Sequence, residues 1–224
     1  MGEFIKLTAS DGFTLNAYTV APEGKAKGAV VVIQEVWGVN HWVQDMANRV
    51  AQAGFYAVAP AIMDRIEPGY ESEDYGPTGF ARVGELMKSF SPDLTKLDVE
   101  AAVKEASKAG KVGITGFCLG GTTSWRAAHF GLGLSAASGY YGGGVPNYID
   151  LAPTIPIEMH YGDKDTGIPM EQVEELRKRY PEVPVYIYNA GHGFMNNERA
   201  QASDPAAAAL SWPRTLAFFE KHLA

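Results

Sequence analysis

The sequence predicts an α/β protein: a mostly parallel central sheet with helices on both faces and an antiparallel N-terminal edge. Three observations carry that expectation. From the run "GAVVVIQEV" onward, β-branched apolar stretches alternate with segments of helical periodicity. Two shorter strand-like runs joined by a tight turn precede this pattern. The loops that follow the strands hold most of the glycines and the chemically capable residues, as expected where a doubly wound sheet gathers its chemistry at the carboxyl ends of its strands.

Taken in order, "EFIKLTA" and "FTLNAYTVA" flank Ser10-Asp11-Gly12 and read as a hairpin. "GAVVVIQEV" has the unbroken apolar character of a strand covered on both faces. Trp42, Val43, Met46 and Val50 recur at helical spacing up to Gly54, a C-terminal cap. "FYAVAPAI" is a second buried strand. Residues 64–80, "DRIEPGYESEDYGPTGF", read as an irregular surface excursion, a lid or rim. A helix is expected over 93–109, with Ser91 or Asp93 at its start and Gly110 after its end. "KVGITGF" is a strand leading into a helix from Leu119 to about Phe130. "LSAASGYYG", "PTIPIEMHYG" and "VPVYIYNAG" are further strands, the last two joined by the helix "MEQVEELRKRY". Asp204-Pro205 caps a closing helix, which Pro213 should kink or restart. No repeat or linker divides the chain, so residues 1–224 read as one domain.

Composition narrows the function. The chain has 224 residues, 46% of them apolar and 20% charged, with a formal net charge of −7. That suits a globular protein with a full core and makes a poor nucleic-acid surface. No apolar run approaches the roughly 20 residues that span a bilayer, and "MGEFIKLTASDG" lacks a signal peptide's apolar segment. A single cysteine cannot form an internal disulfide, so a reducing, cytoplasmic setting is expected. There is no zinc-type cluster, and neither metal nor organic cofactor is expected. A monomer or small homo-oligomer without nucleic-acid or membrane partners is the expectation.

That cysteine lies in "TGFCLGG", residues 115–121. Gly116-Phe117-Cys118-Leu119-Gly120 fits the nucleophile-elbow pattern, with cysteine where serine is usual. Such a turn places the central side chain at a helix N-terminus, where the dipole and free N–H groups favour thiolate, and the Leu119 N–H can face a developing oxyanion. Taken singly, a lone cysteine is more often a small core hydrophobe. A nucleophilic thiol, however, needs a base and an orienting acid, in the chain order nucleophile, acid, histidine. The strand-end loops "YGDKDTG" and "NAGHGF" supply both in that order. His192 is the one histidine in a glycine-flanked loop after a strand, while Asp163 and Asp165 both stand open as the acid. Glu35, following the apolar run "VVVI" and Gln34, either emerges at the rim, the default for a charged residue, or is buried with a partner. Its loop is also where this architecture draws a second oxyanion donor, making the Val36 N–H a candidate.

Together "QEVWGVN", "GFCLGG", "YYGGG", "YGDKDTGIP" and "GHGF" resemble the dienelactone hydrolase family of the α/β-hydrolase superfamily, over nearly the whole chain. The resemblance implies an α/β-hydrolase fold, with Cys118 as nucleophile, His192 as base and Asp165, from its Gly-x-x-Asp pattern, as the acid. It further implies that Glu35 contacts the resting thiol, that Leu119 and Val36 form the oxyanion hole, and that Tyr141 lines the pocket. The implied chemistry is hydrolysis of a small-molecule lactone or activated ester, with ring opening of dienelactone to a keto acid through a thioester the leading candidate. Family members that bind the carboxylate of dienelactone use arginines. Here Asn196 stands where one is usual and Gly193 replaces a common serine, leaving Arg82 and Arg199 as candidate cations. A carboxylesterase or lactonase for a neutral substrate is therefore the alternative, and a non-catalytic redox or binding role is a third reading.

Overall fold

In a computed structural model, which describes residues 2–224, the chain divides into two compact units, one ending at Val112 and the other running from Gly113 to Ala224.

In the first unit, strands β1 (Glu3–Thr8) and β2 (Thr14–Val20) form the expected hairpin, antiparallel with Glu3 opposite Thr19 and Thr8 opposite Thr14. β2 also runs antiparallel to β4 (Tyr56–Pro60), and β4 is parallel to β3 (Ala29–Ile33), giving the order β1-β2-β4-β3. Every residue of β3 is buried, as its β-branched run requires. Helix α1 (His41–Gln52) starts at Asn40, whose side chain accepts the Val43 N–H, and turns Trp42, Val43, Met46 and Val50 into the core. Gly54, with φ of 96°, follows its end in the conformation glycine adopts without strain.

The segment 64–80 is more ordered than expected. Its irregular part stops at Gly76, and Pro77 opens helix α2 (Pro77–Met87), with proline in the first turn where its missing N–H costs nothing. The expected helix over 93–109 is α3 (Pro92–Ala106), capped by Ser91 and followed by a short 3-10 turn to Ala109.

The second unit carries β5 (Val112–Phe117), helix α4 (Leu119–Phe130), β6 (Leu134–Tyr140), β7 (Ile157–Gly162), helix α5 (Met170–Arg179), β8 (Val185–Tyr188) and helix α6 (Pro205–Leu223), with strand order β5-β6-β7-β8. β7 is parallel to both β6 and β8. Contrary to expectation, α6 passes through Pro213 without restarting. The buried stripe Ala207, Ser211, Thr215, Phe219 and Leu223 continues across the proline. Among the described residues, no helix is long and apolar enough to cross a membrane.

Candidate active site

Strand β5 delivers the cysteine. Cys118 is the N-cap of α4 and has φ of 54° and ψ of −108°, a strained conformation for a residue with a Cβ. The turn is sharp because nothing separates strand from helix: a Cβ on Gly116 would stand 2.2 Å from the carbonyl oxygen of Gly120. Cys118 is held by its own N–H, which donates to the Tyr140 carbonyl at the end of β6 at 3.0 Å. Its side chain is half-buried. Leu119 is the first helical residue, so its N–H has no intrahelical acceptor.

The loop after β7 holds Asp165, whose side chain is 1% exposed, whereas Asp163 is exposed. Both Asp165 oxygens are committed. Oδ1 accepts the Gly167 N–H at 2.8 Å, and Oδ2 accepts His192 Nδ1–H at 2.7 Å. Of the two aspartates left open by spacing, Asp165 is therefore the one that meets the histidine. The Cys118 thiol also acts on His192, favouring its imidazolium. With Nδ1 engaged, Nε2 is the ring nitrogen left for sulfur. Burial disfavours the imidazolium, but the hydrogen bond to Asp165 and the charges of Cys118 and Asp165 outweigh it and push His192 up to about 10.

Tyr141 follows β6 with φ of 36°, and its ring lies 5.1 Å from His192 and 5.3 Å from Phe194. Two of the three non-glycine residues with positive φ, Cys118 and Tyr141, thus adjoin one imidazole. Phe194 was not singled out by the sequence, although it sits in "GHGF"; it also contacts Tyr140 and Tyr188 and backs the Tyr141 ring. Asn196 is fully buried, and its Oδ1 accepts the Glu198 N–H at 3.1 Å, tying it to its own turn. Arg199 is half-exposed in the same stretch.

The remaining candidates belong to the first unit. Glu35 is 2% exposed, so the rim expected by default for a charged side chain is not where it lies. The chain leaves β3 after Ile33 and turns at Val36-Trp37, burying Gln34 and Glu35 before it reaches the surface. Val36 is half-buried in that turn. Trp37 packs edge-on against Tyr75 and Phe80, with ring centroids 5.3 and 5.0 Å away, and its carbonyl accepts the Ser72 N–H. Segment 64–80 is therefore pinned onto the Glu35 loop. Arg82 is exposed and ion-paired with Glu67. Among the described residues, no group of three or more His, Cys, Asp or Glu side chains has metal-binding geometry.

Comparison with known proteins agrees with this architecture. The family model "Dienelactone hydrolase family" matches residues 15–223. A Synechocystis sp. protein provisionally named carboxymethylenebutenolidase is 33% identical over 214 residues, covering 87% of this chain and 86% of its own. The carboxymethylenebutenolidase of Pseudomonas putida is 28% identical over 226 residues, covering 96% and 95%. A crystal structure from Klebsiella pneumoniae, provisionally named dienelactone hydrolase, superimposes with a TM-score of 0.82 at 26% identity, over 99% of this chain and all of that one. With an α/β-hydrolase fold and a match that spans nearly its whole length, the chain belongs to the dienelactone hydrolase family, a family of hydrolases.

Proposed function

We propose that the chain is a cysteine-dependent hydrolase of lactones or activated esters, with Cys118 as nucleophile, His192 as base and Asp165 as the acid that orients it. The observation that carries this reading is the 2.7 Å hydrogen bond between His192 Nδ1 and Asp165 Oδ2, with the Cys118 thiol acting on the same imidazole. In the ion-paired form, thiolate attacks the carbonyl carbon, and the oxyanion is met by the N–H group of Leu119. Collapse expels the enolate or alkoxide, which takes the proton from His192 Nε2, leaving a thioester. Neutral His192 then removes a proton from water as it attacks the thioester, and thiolate departs, restoring the pair. Tyr141 is assigned to line the pocket. The match over residues 15–223 supports treating both units as one domain, and a lone thiol fits a cytoplasmic setting.

Ring opening of carboxymethylenebutenolide, the dienelactone, is the leading substrate reading, supported by the name of the Pseudomonas putida relative. A neutral ester or lactone is the second, because an anionic ligand would have to compete with Glu67 for Arg82. Steady-state hydrolysis of an aryl ester and of dienelactone tests both. Cys118→Ala is expected to lower turnover at least ~10³-fold; equal rates from variant and wild type would overturn the mechanism. Turnover of neutral esters without dienelactone would select the second substrate.

A further inference from the structure

A buried polar cluster stands behind the elbow in the second unit. Ser138, Tyr140, Glu158, His160 and Thr215 are each at most 1% exposed. The Ser138 and Thr215 hydroxyls lie 2.9 Å apart. Glu158 Oε1 accepts from Ser138 Oγ at 3.1 Å, Thr215 Oγ1 at 2.8 Å and His160 Nε2 at 3.0 Å. Thr215 has one hydroxyl proton, committed to Glu158, so the Tyr140 hydroxyl donates to Thr215, at 2.8 Å. His160 Nδ1 is hydrogen-bonded to the Tyr188 hydroxyl at 2.9 Å, and that oxygen accepts Arg214 Nη1–H at 3.0 Å. Burial favours the neutral form of His160. Burial lowers its pKa, as does the Arg214 charge, against the opposing hydrogen bond and charge of Glu158. Tyr140 and Tyr186 complete the surroundings, stacked on the imidazole with centroids 4.3 and 5.2 Å away.

A hydrogen-bonded polar cluster in a core fixes geometry more than it adds stability. Two backbone hydrogen bonds show what this one fixes. Cys118 N–H donates to the Tyr140 carbonyl at 3.0 Å, and Tyr141 N–H donates to the His160 carbonyl at 2.7 Å. Tyr141 then carries its ring to His192. Residues 140 and 141 therefore hold the cysteine on one side and the imidazole on the other. We propose that Tyr140, anchored by Thr215 and the Glu158–His160 pair, is a positioning residue that sets the approach of Cys118 Sγ to His192. This rests on the reading of those two groups as nucleophile and base. Without the anchor, the strained turn at Tyr141 relaxes and the sulfur–imidazole contact lengthens.

The test is alkylation of Cys118 by iodoacetamide from about pH 5.5 to 9.5, the range over which thiols and imidazoles ionise. It is run on the full chain as wild type, Thr215→Ser, Thr215→Val and Tyr140→Phe, with aryl-ester kinetics and Tm alongside. Thr215→Ser keeps the hydroxyl and should reproduce the wild-type profile. Thr215→Val and Tyr140→Phe should move the midpoint upward, slow alkylation at the acid end about 5- to 10-fold and lower kcat by a similar factor at constant KM. Unchanged midpoints and kcat in both, with only Tm lowered, would overturn the proposal. If Thr215→Val does not fold, Tyr140→Phe, which keeps the ring, decides alone. A wild type without ester turnover whose alkylation profile still responds to these variants would sink the hydrolase reading and leave the positioning role standing.

Discussion

Replacing Asp165 by asparagine removes the charge that faces His192 and keeps the shape. In the wild type, His192 rises from 6.5 to about 10, which at ~1.36 kcal/mol per pH unit is on the order of 5 kcal/mol. Cys118 shares that effect and solvent reaches 30% of the imidazole side chain, so the carboxylate's own part is smaller. A charge-assisted hydrogen bond contributes about 1.5–3 kcal/mol. The sign follows from linkage. A raised histidine stabilises the folded chain fully below its unfolded value of about 6.5, and that stabilisation is lost as the pH rises through the folded value. The deficit of Asp165→Asn should therefore be full, about 1.5–3 kcal/mol, near pH 6 and should close above pH 10. Urea unfolding followed by tryptophan fluorescence at these two pH values measures it. Activity should fall more steeply, about 10³- to 10⁴-fold in kcat, because the asparagine amide donates toward Nδ1 and selects the tautomer that cannot accept a proton at Nε2. A deficit of equal size at both pH values would refute the ionic origin of the effect, whatever happened to activity.

Two further substitutions probe the surroundings. In Gly116→Ala the new methyl would stand 2.2 Å from the Gly120 carbonyl oxygen, forcing β5 and α4 apart. The expected cost of about 3 kcal/mol should lower Tm by roughly 10 °C, and an unchanged Tm in a thermal scan would contradict the close approach. Arg82→Ala should leave Tm within about 1 °C, because its ion pair with Glu67 is exposed. It should also leave the ratio of KM values for carboxylate-bearing and neutral lactones within about two-fold; a selective rise of about ten-fold for the anionic substrate would return Arg82 to carboxylate recognition.

The chain order of strands and helices was legible because each buried strand is written as an apolar run and each helix as a stripe, and these patterns depend on near neighbours alone. Helix α2 was hidden. Its glycines at 79 and 84 lower local propensity, and the acidic, proline-bearing stretch before it has the composition of a loop. Pro213 misled in the opposite direction: locally it breaks a helix, but the stripe from Ala207 to Leu223 continues across it. Cys118 and His192 could be singled out because glycine-rich strand ends in a fixed order mark them, and Asp165 through the family resemblance. Their local bonding could not, since choosing Asp165 over Asp163 by geometry needed the Gly167 N–H and the reach of His192. The positive φ of Tyr141 and the cluster around Glu158 depend on partners up to 77 residues apart, such as Ser138 and Thr215, which no local pattern encodes.

The hydrogen bond between His192 and Asp165 joins the ends of β7 and β8, 27 residues apart in the chain, and the thiol it serves lies far upstream on α4. Contacts of this kind form late, because parallel strands pair only after their crossovers have closed. During synthesis the thiol therefore leaves the ribosome well before its imidazole partner and before Thr215. A nascent or partly folded chain carries an ordinary cysteine. With Cys118 as the proposed nucleophile, reactivity arrives with the completed fold, which spares the growing chain from acylation by any activated ester it meets on the way.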